Sequence, residues 1–267
     1  MQNDYLEHYG ILGMKWGVRR TPEQLGHHKI KKGTKMYRVT PNSGEDLSGK
    51  KYVTYLPPDR DFYRGKYLQG IKSQYGLSND AKMYEKTYTT AEELNIPSRD
   101  TLKKAYADVM KNEKTRTKAL TDYAKELADR NKWSLVWAYD DWEKRVPEYT
   151  KKWIKNTLDD WKNQSVDQQF LTTVRAMTVT DPSVQQKVID ILKKQGYNAM
   201  VDEAGVGTNN ARGSREGVEP LIIFDGGKSL NDNGSVAIDS KTQAVATSQR
   251  NKWEAVAERN RRKGTPW

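Results

Sequence analysis

Glu219 is the carboxylate of this sequence whose surroundings are best suited to chemistry. It directly follows a polar, glycine-rich stretch of 17 residues at 202–218, and it precedes Pro220 and a strongly apolar run. Polar stretches of this length inside compact domains are usually functional loops or disordered segments. The pattern predicts either a carboxylate at the mouth of a cleft or a solvated charge at the end of a strand.

Arg38 is the second candidate, because it interrupts a partly apolar, strand-like run at 34–40. The guanidinium presents five N–H donors in a planar fork that suits a diphosphate. On an alternating strand the same residue could face solvent, so both interpretations stay open. Thr54 on a second predicted strand and Tyr63 on the helix after it complete a set spaced along the first half of the chain.

Several kinds of chemistry are excluded by composition. The chain has no cysteine, which excludes disulfides, thiolate nucleophiles and Cys-ligated zinc or iron–sulfur centres. The three histidines are His8, His27 and His28, so a core that begins near residue 33 has no imidazole for catalysis or metal binding. We predict no metal site, and catalysis there would use carboxylates, Arg, Lys, Tyr or hydroxyl groups.

The elements that must position these residues follow the order strands, helices, strands, which is typical of an α+β fold. Asp181-Pro182 predicts a helix start and Gly196 the end of that helix. Five of the eight tryptophans lie between 133 and 161 at helical spacing, and we interpret them as a Trp-rich helical core rather than a stacking surface. Alternation and turn signals predict strands at 34–40, 51–56, 82–90, 197–201, 219–225 and 234–239, a helix from 57 to about 72, helices between 98 and 178, and a basic helix at 244–263.

The positive charge of the chain is concentrated in its two ends. The net charge is +11, and residues 1–36 contribute seven Lys or Arg against three Asp or Glu, while residues 241–267 contribute seven against two. Solvated termini are one interpretation, and sequence-independent contact with nucleic acid or an acidic protein surface is the other. No apolar run has the length of a membrane span, so we predict no membrane partner.

The N-terminal segment resembles a sequence found at one end of many virion and late-operon proteins of phages and prophages. Its glycines are too frequent for a helix, and bulky apolar anchors lie between them. The resemblance implies a phage protein of the virion or the infected host cytoplasm, attached to a phage structural or assembly protein through residues 8–20. The matching residues are His8, Tyr9, Gly10, Gly13, Met14, Lys15, Trp16, Gly17, Val18, Arg19 and Arg20.

The remainder resembles the Arg–Ser–Glu class of mono-ADP-ribosyltransferases over most of 33–232. Residues 33–39 are similar to the first strand of that class, with Arg38 as its cofactor-binding arginine, and residues 52–55 fall at its Ser-Thr-Ser strand. Residues 196–201 and 219–224 are similar to its late strands, with Glu219 at the position of the catalytic glutamate. Tyr63 is similar to the aromatic residue that lies against nicotinamide.

This resemblance implies that NAD is a substrate and that a host protein is the target. Arg38 would bind the diphosphate, Thr54 the nicotinamide ribose and Tyr63 the nicotinamide ring, while Glu219 would stabilise the oxocarbenium-like ribose. Gly217 falls where many members of the family carry a Glu or Gln that helps to present the target, and Glu216 lies one place further back. The alternatives are a non-enzymatic minor virion or head-assembly protein, in which Arg38 and Glu219 only pair with each other, and a DNA-associated internal virion protein.

The predicted fold is therefore α+β, with a small split mixed or antiparallel sheet of the ADP-ribosyltransferase type, a large helical insertion and a C-terminal basic helix. The predicted domains are a docking segment at 1–20, a linker at 21–33, the α+β domain at 34–240 with its helical insertion at 98–178, and a basic helix or tail at 241–267.

Overall fold

The computed structural model describes residues 28–179, 182–203 and 220–262, and this part of the chain has a mixed α+β fold. It divides into two compact units. The described residues up to Arg99 and from Gly196 onward form what we call the sheet unit, and Asp100–Gln195 form the helical unit. The candidate residues Arg38, Thr54 and Tyr63 all belong to the sheet unit.

The described strands of the sheet unit form three small antiparallel sheets that do not close into a barrel. Their orders are β1-β5, β2-β4-β8 and β3-β7-β6. The strands are β1 (His28–Ile30), β2 (Lys35–Thr40), β3 (Lys51–Val53), β4 (Tyr84–Thr90), β5 (Leu94–Ile96), β6 (Ala199–Val201), β7 (Leu221–Ile223) and β8 (Leu230–Ala237).

The registers bring residues from distant parts of the sequence onto shared faces. Arg38 of β2 is opposite Lys86 of β4, and Val53 of β3 is opposite Leu221 of β7. A single bridge between Tyr37 and Thr54 joins β2 to β3. The main buried cluster draws on all three sheets and contains Ile30, Met36, Val53, Tyr88, Leu94, Ile96, Ala199, Val201, Leu221, Ile223 and Leu230.

The helices described in the sheet unit are α1 (Pro57–Arg64), α2 (Leu68–Gln74), the short α9 (Gly226–Ser229) and α10 (Ser240–Arg262). Helix α10 packs against α1 and is part of this unit. Its Arg250 donates a hydrogen bond from Nη1 to the Pro58 carbonyl at 3.0 Å, and Trp253 donates from Nε1 to Asp61 at 3.3 Å. The predicted basic helix at 244–263 is confirmed as a helix, and the structure begins it earlier.

The helical unit holds the larger part of the helices. Its buried positions include Leu102, Tyr106, Leu120 and Val188. The Asn112 side chain caps α4 by accepting a hydrogen bond from the Thr115 amide at 2.9 Å. The helices are α3 (Arg99–Met110), whose first residue belongs to the sheet unit, α4 (Glu113–Asn131), α5 (Trp133–Ala138), α6 (Trp142–Asn163), α7 (Val166–Val179) and α8 (Pro182–Lys194).

The prediction of a Trp-rich core in this unit is wrong. Trp133 is 62% exposed and Trp137 is 86% exposed, and α6, which carries Trp142, Trp153 and Trp161, has no buried residue. The buried positions of the neighbouring α4 are mostly alanines, with Leu120. Small side chains, rather than a stripe of tryptophans, therefore fill the space beside this helix. Helical spacing identifies a common face but does not decide how deeply that face is buried.

The strand and helix boundaries also differ from the predicted ones. The predicted strand at 34–40 is confirmed as β2, but the strand predicted at 51–56 is shorter, because Pro57 and Pro58 begin a helix. The helix predicted to run to about 72 is divided at Gly65. Part of the predicted linker at 21–33 forms β1, which pairs with β5. The helical unit extends to Gln195, whereas the predicted insertion ends at 178.

Candidate functional site

Side chains alternate between the two faces of a strand, so Arg38 lies on the same face of β2 as the buried Met36. All three nitrogens of its guanidinium donate hydrogen bonds. Nε donates to Glu45 Oε2 at 2.9 Å, Nη1 to the Tyr52 carbonyl at 3.1 Å and Nη2 to the Tyr75 hydroxyl at 3.2 Å. The arginine is thus held between the loop after β2, the strand β3 and the residue that follows α2.

Glu45 joins Arg38 to a second cation. Its other carboxylate oxygen accepts a hydrogen bond from Lys51 Nζ at 3.4 Å. Burial opposes ionisation of Glu45, but the charge and hydrogen bond of Arg38, followed by those of Lys51, outweigh it and hold the pKa of Glu45 below its ordinary value. The carboxylate is therefore an anion between two cations at neutral pH.

Lys86 fixes the backbone of the same loop from the neighbouring strand. Its side chain is 2% exposed, and Nζ donates to the Glu45 carbonyl at 2.7 Å and to Asp232 Oδ2 at 2.6 Å. Burial alone would raise the pKa of Asp232. The hydrogen bonds from Lys86 and the Gly234 amide, together with the charge of Lys86, have the larger effect, so the pKa lies below its ordinary value. The buried ammonium is thus fully compensated by a carboxylate and a carbonyl.

Tyr88 adds an unpartnered polar group to this face. It is fully buried, two residues from Lys86 along β4, and its hydroxyl has no hydrogen-bond partner among the described residues. Burial, with the nearby charge of Glu45, raises the pKa of this phenol despite the opposing charge of Arg38. The hydroxyl remains a neutral donor that the described part of the protein does not use.

Thr54 lies at the junction between β2 and β3. The backbone amide of Thr54 donates to the Tyr37 carbonyl at 2.8 Å, and the Tyr37 amide donates to the Thr54 carbonyl at 2.7 Å. The Thr54 side chain is buried, and its hydroxyl lies 3.5 Å from the Tyr37 carbonyl. Thr54, the residue that follows β3, is therefore bonded directly to the residue before Arg38 on β2.

Tyr63 lies elsewhere in the sheet unit. It packs on an apolar cluster together with Val39, which alternation assigns to the face of β2 opposite Arg38, and its ring is edge-on to those of Phe62 and Tyr67. The aromatic residue in contact with the Arg38 guanidinium is Tyr75. Tyr75 is distant from Arg38 in the sequence, and no sequence pattern indicated this contact.

Glu219, Glu216 and Gly217 lie outside the described residues, as do the docking residues from His8 to Arg20. Their predicted roles stay predictions. The description resumes at Pro220, whose carbonyl accepts a hydrogen bond from the Asp202 amide at 2.8 Å. Strand β7 begins at Leu221, so Glu219 precedes it by two residues in sequence.

Sequence reasoning missed Glu45, Lys51, Lys86, Tyr88 and Asp232. A signal existed for two of them. Lys51 alternates with the buried Val53, and Lys86 with the buried Tyr88, so each is a cation on the buried face of a strand. Such a cation requires an anionic partner, but the identity of that partner depends on how the loop from residue 41 to residue 50 folds.

The described residues offer neither a cluster of metal ligands nor a membrane-spanning helix. No group of three or more His, Cys, Asp or Glu side chains in the described ranges is placed to hold a metal ion. Among the described helices, none combines the length and the apolar character that crossing a membrane requires.

Comparison with known proteins gives one match, which is confined to the N-terminus. A family model described as a family of unknown function, DUF7211, matches residues 1–23. No curated protein and no solved structure matches the chain. The matched segment contains the run from His8 to Arg20, and the candidate residues of the sheet unit lie outside it.

Proposed function

We propose that the chain binds NAD, cleaves its nicotinamide–ribose bond and transfers ADP-ribose to a host protein. The observation that carries this proposal is the convergence of three strands. β2, which carries Arg38, is bridged to Thr54, the residue just after β3, and β3 pairs with β7, the strand that follows Glu219 in sequence. Val53, which precedes Thr54, is opposite Leu221, two residues after Glu219.

The proposed reaction uses charge at two positions. Arg38 binds the diphosphate by charge-assisted hydrogen bonds. The bond from ribose C1′ to the nicotinamide nitrogen breaks with its electron pair on nicotinamide, which leaves as a neutral molecule. The C1′ carbon gains oxocarbenium character, which the Glu219 carboxylate stabilises. A nucleophile on the acceptor bonds to C1′ and loses its proton.

The other assignments rest on the resemblance to mono-ADP-ribosyltransferases. Two three-stranded antiparallel sheets joined by one bridge agree with a split sheet of that type, and the helical unit agrees with an insertion between early and late strands. Thr54 would contact the nicotinamide ribose. The family's role for Tyr63, packing on the nicotinamide ring, is not part of this proposal, because Tyr63 packs in an apolar cluster with Val39 on the face of β2 opposite Arg38. Glu216 and Gly217 would help to select the acceptor.

The test is nicotinamide release from NAD by the full chain, with and without host lysate. Glu219→Gln keeps the size of the side chain but removes its charge, so release should fall roughly 100-fold to 1,000-fold. Glu143→Gln is the matched control, because it makes the same change on the exposed surface of the helical unit. We expect the control to release nicotinamide at the rate of the unmodified chain.

Absence of release from the folded, unmodified chain would reject the transferase proposal. Release that is unchanged in Glu219→Gln would reject Glu219 as the catalytic carboxylate. Transfer of label from NAD to a lysate protein would then distinguish protein modification from simple hydrolysis of NAD.

A non-enzymatic virion or head-assembly role is the second candidate, and the Arg38–Glu45 ion pair favours it. In that case Arg38 joins the loop after β2 to the rest of the sheet unit and has no ligand. This candidate predicts that NAD does not protect Arg38 from modification by an arginine-specific reagent. Protection by NAD would contradict it.

We also propose that residues 8–20 attach the chain to a phage structural or assembly protein. The match of the family model to residues 1–23 supports a segment with a role separate from the rest of the chain. Deletion of residues 1–23 should abolish co-purification with phage particles while leaving nicotinamide release unchanged. Particle association that survives the deletion would contradict this docking role.

A further inference from the structure

Glu45 occupies the position at Arg38 that an anionic ligand would need. An arginine side chain has no acceptor, so a phosphate group must take at least one of its N–H donors. Nη1 and Nη2 donate to a carbonyl and a hydroxyl, both uncharged, whereas Nε donates to the Glu45 carboxylate. Among the described residues, the ionic partner of the guanidinium is therefore supplied by the protein's own loop.

The carboxylate also bridges two cations, as a phosphate would. Oε2 accepts from Arg38 at 2.9 Å and Oε1 lies 3.4 Å from Lys51 Nζ. Both cations are largely buried, with side-chain exposures of 15% for Arg38 and 8% for Lys51. Low exposure strengthens attraction to any anion at this position, because solvent screening is reduced.

The Glu45 side chain can leave this position while its backbone stays in place. Lys86 holds the Glu45 carbonyl at 2.7 Å, and the Gly44 amide, one residue earlier, donates to Asn42 Oδ1 at 2.9 Å. Rotation about the side-chain bonds of Glu45 alone would release the two cations. Glu45 lies in the loop between β2 and β3, so the rotating bonds belong to neither strand.

The buried Tyr88 hydroxyl is an independent indication of a ligand. A buried hydroxyl without a partner destabilises the fold, and such groups in native proteins often mark a function. Tyr88 is opposite Met36, and Lys86 is opposite Arg38, so Tyr88 shares a face of the sheet with Arg38. It is a donor suited to an anion that is larger than a carboxylate.

We infer that Arg38 and Lys51 form a diphosphate site that Glu45 occupies when the site has no ligand, and that a diphosphate binds by displacing this carboxylate. The ligand class rests on the proposed function. A diphosphate carries more negative charge than a carboxylate and has oxygens on two phosphorus atoms, so it can contact both cations and displace the internal competitor. Glu45 then sets the affinity of the site and excludes weaker anions.

The experiment measures binding of inorganic pyrophosphate to the full chain by titration calorimetry at low ionic strength. Glu45→Gln removes the charge of the competitor and should tighten binding about 10-fold to 100-fold, the effect of one hydrogen bond to a charged group. Asp46→Asn is the control for loss of an acidic charge near the same cation, since an Asp46 oxygen lies 3.9 Å from Lys51 Nζ but the Asp46 side chain is 77% exposed and screened by solvent. We expect the control to change affinity less than about threefold.

Three outcomes would overturn the inference. The first is a Glu45→Gln variant that is folded by circular dichroism but binds no more tightly than Asp46→Asn. The second is binding that survives in Arg38→Gln, because pyrophosphate would then bind elsewhere on this basic chain. The third is the absence of pyrophosphate binding in every variant. Arg38→Gln is expected to lose binding, and Glu45→Gln, which keeps Arg38 and Lys51, serves as the folded comparison.

The proposed function can fail separately from this inference. Pyrophosphate binding that tightens in Glu45→Gln without nicotinamide release from NAD would support the diphosphate site and reject the transferase. Nicotinamide release by the unmodified chain together with unchanged pyrophosphate affinity in Glu45→Gln would do the reverse.

Discussion

At the scale of single residues, Glu85 is the anion of a second charge network, on the face of β4 opposite Lys86. It is 7% exposed and accepts hydrogen bonds from Arg60 Nε at 2.9 Å and Nη2 at 2.5 Å, with Arg64 Nη1 at 3.8 Å. Arg60 also lies over the Tyr37 ring at 4.1 Å. The hydrogen bonds that Arg60 donates to Glu85 outweigh desolvation and raise the pKa of Arg60. This network holds α1 to the sheet.

We predict that Glu85→Gln lowers the free energy of unfolding by about 3 kcal/mol, because it leaves Arg60 without its bidentate carboxylate partner, whereas Arg64 keeps its ion pair with Asp61 at 2.8 Å. Glu93→Gln is the matched control. Its ion pair with Lys29 at 2.6 Å has both partners about half exposed, so the expected loss is below about 1 kcal/mol. Urea unfolding followed by far-UV circular dichroism measures both. Equal losses in the two variants would contradict a structural role for the buried pair.

The sequence permitted a partial prediction of the candidate site. Arg38 was identifiable because a cation interrupts an apolar strand pattern, and that property is local. Its partners Glu45 and Tyr75 were not identifiable, because each is brought to Arg38 by a loop or a helix end whose path depends on contacts distant in sequence. Tyr63 was expected beside the ligand, but its ring belongs to an apolar cluster with Tyr67.

At the scale of elements, Gly65 sets how closely α1 and α10 approach. A Cβ atom at this position would lie 2.6 Å from the Asp61 carbonyl oxygen and 2.9 Å from the Thr247 amide nitrogen. Ala246, the adjacent residue of α10, is fully buried. Both nearest atoms belong to backbone, so they cannot move aside as a flexible side chain would. The packing of these two helices therefore requires glycine.

We predict that Gly65→Ala lowers the free energy of unfolding by about 1–3 kcal/mol, because the added methyl group forces the two helices apart. Gly44→Ala is the control, since a Cβ at Gly44 would approach only the Asn42 side chain, at 3.7 Å. Thermal unfolding by calorimetry measures both variants. A Gly65→Ala variant as stable as Gly44→Ala would show that the contact between α1 and α10 adapts without cost.

Strand patterns in this sequence were more informative than helix continuity. The predicted strands at 34–40, 82–90, 197–201 and 219–225 correspond to β2, β4, β6 and β7, because period-two alternation and buried apolar runs are local signals. The division of the first helix at Gly65 was not predictable, because it follows from a contact with α10 about 180 residues away. Strand β1 was missed because three residues carry too little pattern.

At the scale of the whole molecule, the chain leaves the sheet unit to form the helical unit and returns to the sheet unit at a neighbouring place. Asn95 of β5 donates its amide to Asn198 Oδ1 at 2.7 Å, and the Asn198 amide donates to the Asn95 carbonyl at 3.3 Å. The chain therefore returns beside the strand from which it departed. The main buried cluster of the sheet unit contains no residue between 100 and 195.

We predict that replacing 100–195 by a short glycine–serine linker leaves the β-sheet core folded, because each end to be joined lies within a few residues of the Asn95–Asn198 hydrogen bonds and the core residues remain. Amide hydrogen exchange should show protected strands in the shortened chain. The same deletion combined with Ile223→Asp, which puts a charge at a fully buried position, is the unfolded control. Exchange as fast as in this control would contradict an independently folding sheet unit.

The positive charge of the C-terminal end is partly used inside the sheet unit. Arg250 is 3% exposed, donates to the Pro58 carbonyl and to Glu254, and lies 5.3 Å from the Phe62 ring centroid. Charge counting along the sequence assigned this arginine to a solvated end, because counting takes no account of burial. The charge that nucleic acid could contact is therefore smaller than the composition indicates.

The placement of the tryptophans gives the two units unequal optical signals. Five indole rings belong to the helical unit, and two of them, Trp133 and Trp137, are mostly in contact with water. We expect these two rings to emit at the long wavelengths of a hydrated indole already in the native protein, so unfolding around them should change their emission little. Trp253, bonded to Asp61 on α1, is the described indole that reports on the sheet unit. A change in the emission of Trp253 therefore follows the loss of the contact between α10 and α1.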